Sequence, residues 1–310
     1  MTINEKIQLG INEIKNNSLG NAEQIFTNLQ KENPLNSEIN HFLGITYQLQ
    51  NKIDEAVLSY KKTIEIDPKF AEAHKNLGNM FYRLGKINEA ELCFTKALEV
   101  EPQLEEAKTV LNVILEQKKI LSMIKKKEIS KKKETLSSNP YIKTRPVESD
   151  LIKCLYKMDL IELNKTKDIR YGNGKCSPDL KLFNSNLNVI QKVKKDLTEI
   201  MEESVNSKIF IVESFFNILS SNSGTTPHKH IDPFDKSYGI VDQKYSLVYY
   251  ISTGDQTGTE PGILKLYDPD KELLPSEGLI AIFPADRKHS SIYNGKKDRI
   301  MIGVNFYSLS

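Results

Sequence analysis

From residue 37 to residue 104 the apolar positions recur every 34 residues, so that SEINHFLGITYQLQNKIDEAVLSYKKTIEIDPKF (37–70) lies over AEAHKNLGNMFYRLGKINEAELCFTKALEVEPQL (71–104) without a gap. Leu43-Gly44, Tyr47, Ala56, Tyr60, Thr63 and Pro68 of the first copy fall on Leu77-Gly78, Phe81, Ala90, Phe94, Ala97 and Pro102 of the second. A weaker copy upstream keeps Leu9-Gly10, Ala22, Phe26 and Pro34. This spacing predicts helix pairs: the small residues let two helices cross closely, the large ones fill the gap between them, and each proline ends the second helix. One such pair cannot bury its apolar face alone, so the copies must stack. The stretch EEAKTVLNVILEQKKILSMI (105–124) keeps helical spacing and would cap the last pair.

The pattern then changes. FNSNLNVIQKVKKDLTEIMEES (183–204) predicts one long amphipathic helix capped by Asn184 or Ser185. After it come short β-rich runs separated by turn residues: KIFIVESFFNIL, KYSLVYYIS, GILKLYD, GLIAIFP, HSSIYN and RIMIGVNFY. Such a succession predicts an antiparallel sandwich or barrel. Three parts follow: repeats with a capping helix over 1–125, a basic linker over 126–146 whose end SSNPYIKTRP (137–146) is rich in turn residues, and a β domain over 147–310.

Composition adds mainly exclusions. With 39% hydrophobic and 27% charged residues over 310 positions the chain has the make-up of a soluble globular protein, and a net charge of +2 gives no reason to expect nucleic acid or membrane as a partner. The lysines of KKKEISKKKE (125–134) have no aromatic residue among them, which fits a solvated helix end or linker better than a binding patch. The N-terminus lacks the apolar core of a signal peptide and no run reaches the length of a transmembrane helix, so a cytoplasmic location is expected. Cys93, Cys154 and Cys176 are far apart and without CxxC spacing, which predicts reduced, mostly buried thiols.

The period and the residues at each position resemble the tetratricopeptide repeat. That resemblance implies a helical solenoid whose concave groove takes a protein or peptide partner.

Candidate chemistry concentrates in TTPHKHIDPFD (225–235), which holds two of the five histidines. In an extended strand His228, His230 and Asp232 would share one face. Alone, the segment also reads as a polar turn in which Asp232 accepts local backbone hydrogen bonds. His41 and His74 lie in the repeat helices, where packing or exposure accounts for them.

The order of HID, the strand YSLVYYIS, the turn GTEPG, the strand GILKLYD, GLIAIFPADRKH ending in His289, and Arg299 ten residues on resembles the double-stranded β-helix of the Fe(II)- and 2-oxoglutarate-dependent oxygenases, in particular the prolyl-hydroxylase-like branch. The resemblance spans roughly residues 208 to 307. It implies a dioxygenase that uses O₂ and 2-oxoglutarate, with ascorbate as an auxiliary reductant, to hydroxylate a C–H bond with release of succinate and CO₂. By it, His230, Asp232 and His289 are the iron ligands, Arg299 clamps the distal carboxylate of 2-oxoglutarate, and Tyr250 donates a hydroxyl to the same carboxylate. Two histidines plus a carboxylate leave three positions of an octahedral ion open. His228 is the alternative ligand: the pair could be His228 and His230, with Asp232 outside the coordination sphere. The segment DIRYGNGKCSPDLKLF (168–183) reads either as a surface turn built on Gly172 and Gly174 or as a loop over the mouth of the site carrying Arg170 and Tyr171. A protein or peptide substrate recruited by the repeats is the expected target. Other readings are an interaction scaffold with an inert β module, or the same chemistry on a small molecule or glycan.

Overall fold

The structure, a computed structural model, describes residues 1–124, 136, 139–166, 169–255 and 262–310. The basic run 125–134, and the turn 258–262 except Gly262, lie outside the described residues. The chain divides into two compact units, Met1–Lys119 together with Lys236–Tyr238, and Ile120–Asp235 together with Gly239–Ser310.

The first unit follows the period. Helices α1 (Ile3–Lys15), α2 (Leu19–Glu32), α3 (Ser37–Leu49), α4 (Ile53–Ile66), α5 (Ala71–Arg83) and α6 (Ile87–Val100) form three pairs, and α7 (Glu105–Met123) follows. Pro34, Pro68 and Pro102 fall just after α2, α4 and α6, where a helix cannot continue. The small residues act as the spacing implied. An ideal Cβ on Gly10, Gly44 or Gly78 would stand 2.5, 2.6 or 3.0 Å from the ring of Phe26, Tyr60 or Phe94 respectively. Even the weak first copy is thus a true helix pair. Helix α7 buries Ala107 and Ile114 and ties back through Glu106 to Lys75 of α5 at 2.9 Å.

The second unit holds two antiparallel sheets. With β1 (Tyr141–Thr144), β2 (Ile161–Glu162), β3 (Arg170–Tyr171) and β4 (Gly174–Cys176) as the short outer strands, one has the order β1-β10-β7-β12-β5-β4-β2, the other β3-β6-β11-β8-β9. The central strands of the first are β5 (Ile209–Leu219), β7 (Lys244–Ser252), β10 (Leu279–Pro284) and β12 (Arg299–Ser308). Those of the second are β6 (Ser223–His228), β8 (Leu264–Leu266), β9 (Lys271–Leu273) and β11 (His289–Tyr293). Strand alternation divides the core in two. Phe216, Leu247, Tyr249, Ile282, Ile302 and Phe306 face one way and pack on α8 (Ser149–Lys157) and α9 (Asn188–Val205). Val248, Tyr250, Ala281, Phe283 and Met301 face the other way and pack with Leu264, Leu266 and Tyr293 of the second sheet. On this inner face Gly303 is opposite Phe215, and an ideal Cβ at 303 would stand 2.4 Å from Phe215 Cζ.

Three expectations are corrected. The linker ends earlier than residue 146, because β1 (Tyr141–Thr144) pairs with β10 and Arg145 is buried. Its guanidinium donates to Glu148 at 2.6 Å, Asp196 at 3.0 Å and the Tyr249 hydroxyl at 2.9 Å, anchoring a stretch whose prolines suggest a free connection. The long helix begins at Asn188, not at 183, since Leu182–Asn184 forms a separate 3₁₀ turn and no side chain caps the helix. The 168–183 segment is not a free turn: β3 (Arg170–Tyr171) pairs with β6, and β4 (Gly174–Cys176) pairs with β5 and β2.

Candidate metal centre and adjoining cavity

Strand β6 ends at His228 and β11 begins at His289, and the antiparallel register sets these two residues opposite each other. The chain past β6 is then held by His230 N–H, which donates to Ala285 O at 2.8 Å. In this way His228, His230 and His289 come together, with one ring nitrogen from each lying within 4.8 Å of the others. His228 Nε2 and His230 Nε2 are 3.2 Å apart. Nitrogens at the about 2.1 Å usual for imidazole on a divalent metal stand roughly 3 Å apart when adjacent on one ion, so the pair fits a shared metal.

Local hydrogen bonds orient two of the rings. His228 Nδ1 lies 2.7 Å from Thr226 O and His289 Nδ1 3.2 Å from Arg287 O. A carbonyl accepts only from N–H, so both rings carry their proton on Nδ1 and present the Nε2 lone pair inward. Burial, followed by the neighbouring histidines and Lys244, holds His230 well below the ordinary imidazole range. Burial and then His228 bring His289 to about 3. His230 and His289 are thus neutral at physiological pH and need lose no proton to bind a cation.

Asp232 is elsewhere. Its Oδ1 accepts from Asp235 N–H at 3.0 Å, and Asp235 Oδ2 accepts from Asp232 N–H at 2.9 Å. This reciprocal pair caps α10 (Pro233–Tyr238), with proline at the first helical position. The other oxygen faces Lys244 Nζ at 3.4 Å, which also reaches Asp235 at 2.7 Å. Burial lowers the Lys244 pKa, but Asp232 and Asp235 outweigh it and the net shift is upward. Tyr307 donates its hydroxyl to Asp235. The extended run needed to put Asp232 on the face of His228 and His230 stops at residue 228, because DPFD is a helix start. The structure therefore brings His230, His289 and the alternative His228 together and leaves Asp232 in the turn role that the segment alone suggested.

A cavity of about 210 Å³ adjoins the three histidines, all of which line it. Its walls include Leu264, Val248, Phe215 and Met301, with Ser291, Asn217, Arg170, Glu213, Ser246 and Asn305 as polar members. Of the 168–183 segment, Arg170 lines the cavity and donates to Asn217 Oδ1 at 3.4 Å, while Tyr171 serves the strand. Arg299 is 1% exposed. It donates to Gly262 O at 2.7 Å and packs its guanidinium 4.4 Å from the Tyr293 ring and 6.0 Å from that of Tyr250. No carboxylate among the described residues pairs with it, and burial lowers its pKa. Arg299 Nε is buried without a hydrogen-bond partner among the described residues, and the Tyr250 hydroxyl and Ser291 Oγ are buried with at most each other as a partner there. Burial pushes Tyr250 up to about 12, against the charge of Arg299. A buried cation with donors grouped round it is the make-up of an anion site.

Reading the sequence did not pick out Glu213, Ser246 and Asn305. The available signal was their place on the inner phase of otherwise apolar strands. His41 and His74 are in the helices as expected, His41 meeting Asn76 at 3.1 Å and His74 the Pro68 carbonyl at 3.0 Å. No disulfide joins the three cysteines, and Cys93 and Cys176 are buried.

Comparison with known proteins bears on the helical unit. The family described as "TPR repeat" matches residues 44–85, and that described as "Tetratricopeptide repeat" matches residues 71–104. The N-terminal helices are tetratricopeptide repeats. Among solved structures, the first TPR of Spaghetti (RPAP3) bound to an HSP90 peptide is 20% identical, covers 37% of this chain and 90% of its own, with a TM-score of 0.36. The Yersinia enterocolitica type III secretion translocator chaperone SycD is 21% identical over 38% of this chain and 86% of its own, at 0.36. A Thermobaculum terrenum O-GlcNAc transferase mutant is 23% identical over 37% of this chain and 22% of its own, at 0.35. No curated protein matches the chain. Among the described residues no helix is long and apolar enough to cross a membrane.

Proposed function

We propose that the C-terminal unit is an Fe(II)- and 2-oxoglutarate-dependent dioxygenase that hydroxylates a C–H bond of a protein or peptide held by the tetratricopeptide repeats. The observation that carries this is the convergence of His228, His230 and His289 on a cavity. Strand order supports it. From β5 onward the chain places β5, β7, β10 and β12 in one sheet and β6, β8, β9 and β11 in the other, the alternation a double-stranded β-helix requires.

On this reading His228, His230 and His289 would hold the metal, which would supply the place where co-substrate and O₂ meet. Iron and 2-oxoglutarate together supply the oxidising power: O₂ is consumed, one oxygen atom enters the substrate as hydroxyl and the other enters succinate, with CO₂ released. The chain's own part is positioning. Arg299 receives the distal carboxylate, the Tyr250 hydroxyl donates to it, and Thr226 and Arg287 hold two ligand rings in the binding tautomer. Leu264, Phe215 and Met301 keep water from the reacting atoms. The repeats raise the local concentration of substrate.

The test is succinate release from 2-oxoglutarate by anaerobically purified protein reconstituted with Fe(II), with and without peptides. Absence of both metal binding and turnover would favour a second reading, an interaction scaffold with an inert β module. The observation on its side is that Asp232 caps a helix and does not join the histidines.

A further inference from the structure

The polar residues of the cavity are sorted by sign along its length. Arg170 lines the cavity beside Asn217 of β5, and Asn305 of β12 lines it farther along. Opposite Asn305 stand Glu213 of β5 and Ser246 of β7. Asn305 Nδ2 donates to Glu213 Oε2, and Ser246 Oγ donates to Asn305 Oδ1 at 2.7 Å. Asn305 and Ser246 are 1% and 3% exposed. This row belongs to the histidine end: Ala285 accepts from His230 N–H and donates to Lys244 O, and Lys244 is two residues before Ser246. Arg170 sits at Asn217, four residues along β5 from Glu213 and toward Arg299.

Glu213 thus lines the cavity away from Arg170. Its Oε2 is used by Asn305 and its Oε1 has no hydrogen-bond partner among the described residues. Lys244 feels the charge of Glu213 but makes its ion pairs with Asp232 and Asp235. Between Glu213 and Arg170 the wall is apolar, with Phe215, Val248 and Met301, suited to an alkyl chain. We infer that this end of the cavity receives an ammonium or guanidinium group on an alkyl chain, that is, a basic side chain, with Glu213 as its counter-charge and Asn305 and Ser246 holding that carboxylate in place. This names the substrate class of the proposed oxygenase and rests on that reading for the fate of the ligand, though not for its binding.

Calorimetric titration of the full-length protein without metal tests it, with N-acetyl-lysine methylamide, N-acetyl-arginine methylamide and the neutral N-acetyl-norleucine methylamide as probes. The basic probes should bind at least tenfold more tightly than norleucine, the scale of one hydrogen bond to a charged group. Glu213→Gln should remove that preference, and Glu213→Asp should keep part of it. Equal binding of norleucine, an unchanged preference in Glu213→Gln, or no binding of either basic probe up to roughly 10 mM would overturn the inference. Free lysine and a lysine-containing peptide run in parallel separate a small-molecule source of the group from a peptide. Fe(II) and 2-oxoglutarate binding, titrated on the same preparation, separates the two claims. Glu213-dependent binding without them would sink the oxygenase reading alone, and their presence without basic-probe binding would sink the inference alone.

Discussion

His228 and His230 bring their Nε2 atoms within 3.2 Å of each other, while Asp232, two residues on, gives its carboxylate to the Asp235 backbone and Lys244. Metal affinity should therefore depend on the histidines. His228→Ala and His289→Ala should each lose stoichiometric Fe(II) in equilibrium dialysis. Asp232→Ala should keep it and instead lose about 1 kcal/mol of stability in urea titration, the usual cost of a lost N-cap. A folded Asp232→Ala protein without iron would return the carboxylate to the coordination sphere.

Arg299 is a buried cation with one carbonyl as its hydrogen-bond partner among the described residues. Arg299→Ala should raise the KM for 2-oxoglutarate tenfold or more, about the worth of one charged hydrogen bond, with Fe(II) binding unchanged. The assignment fails if pyruvate, which lacks the distal carboxylate, serves the unaltered protein as well as 2-oxoglutarate.

Acid sensitivity should appear at Glu148. Hydrogen bonding to Arg145 outweighs partial burial and holds this carboxyl at about 2, down from 4.5. A depressed carboxyl adds stability above its unfolded pKa and loses it as pH falls through the folded value. The contribution, about 2 kcal/mol after allowing for partial exposure, should be complete above pH about 4.5 and gone below about 2. Glu148→Gln should flatten the stability profile between those limits. A profile identical to that of the unaltered protein would remove Glu148 from the account.

In the repeats, Gly44→Ala should destabilise by about 1–3 kcal/mol through overpacking against Tyr60, and Tyr60→Leu in the same chain should recover part of the loss. Thermal unfolding of both single variants and the double variant gives the coupling. Strict additivity would mean that the contact is not what sets the helix crossing.

The parts legible in sequence were those fixed by a period. A repeat of 34 located three helix pairs, and β-rich runs between turn residues located β5, β7, β8, β10, β11 and β12. What escaped was decided by partners distant in sequence. Arg145 lies in a proline-containing stretch that reads as linker until Asp196 and Tyr249 are beside it. Tyr141–Thr144, with burial alternating between half-buried and exposed, has too short a pattern to announce an edge strand. Asp232 illustrates a conflict of local signals: HxD spacing and a DPF helix start overlap on one residue, and the helix start prevailed because Asp235 returns the hydrogen bond. His228, His230, His289, Arg299 and Tyr250 were all readable as candidates, but which three would meet depended on where β6 stops.

Gly303 bears on how this cavity could change. Because a methyl there would collide with the ring of Phe215 at 2.4 Å, the bore belongs to two positions jointly and to neither singly. A larger residue at 303 would not line the wall with one more carbon; it would swing a whole aromatic ring into the space a ligand uses. Trimming Phe215 alone would open a void beside a glycine with nothing to fill it. Resizing the chamber for a bulkier or slimmer guest is therefore a two-step exchange whose intermediate is worse than either end.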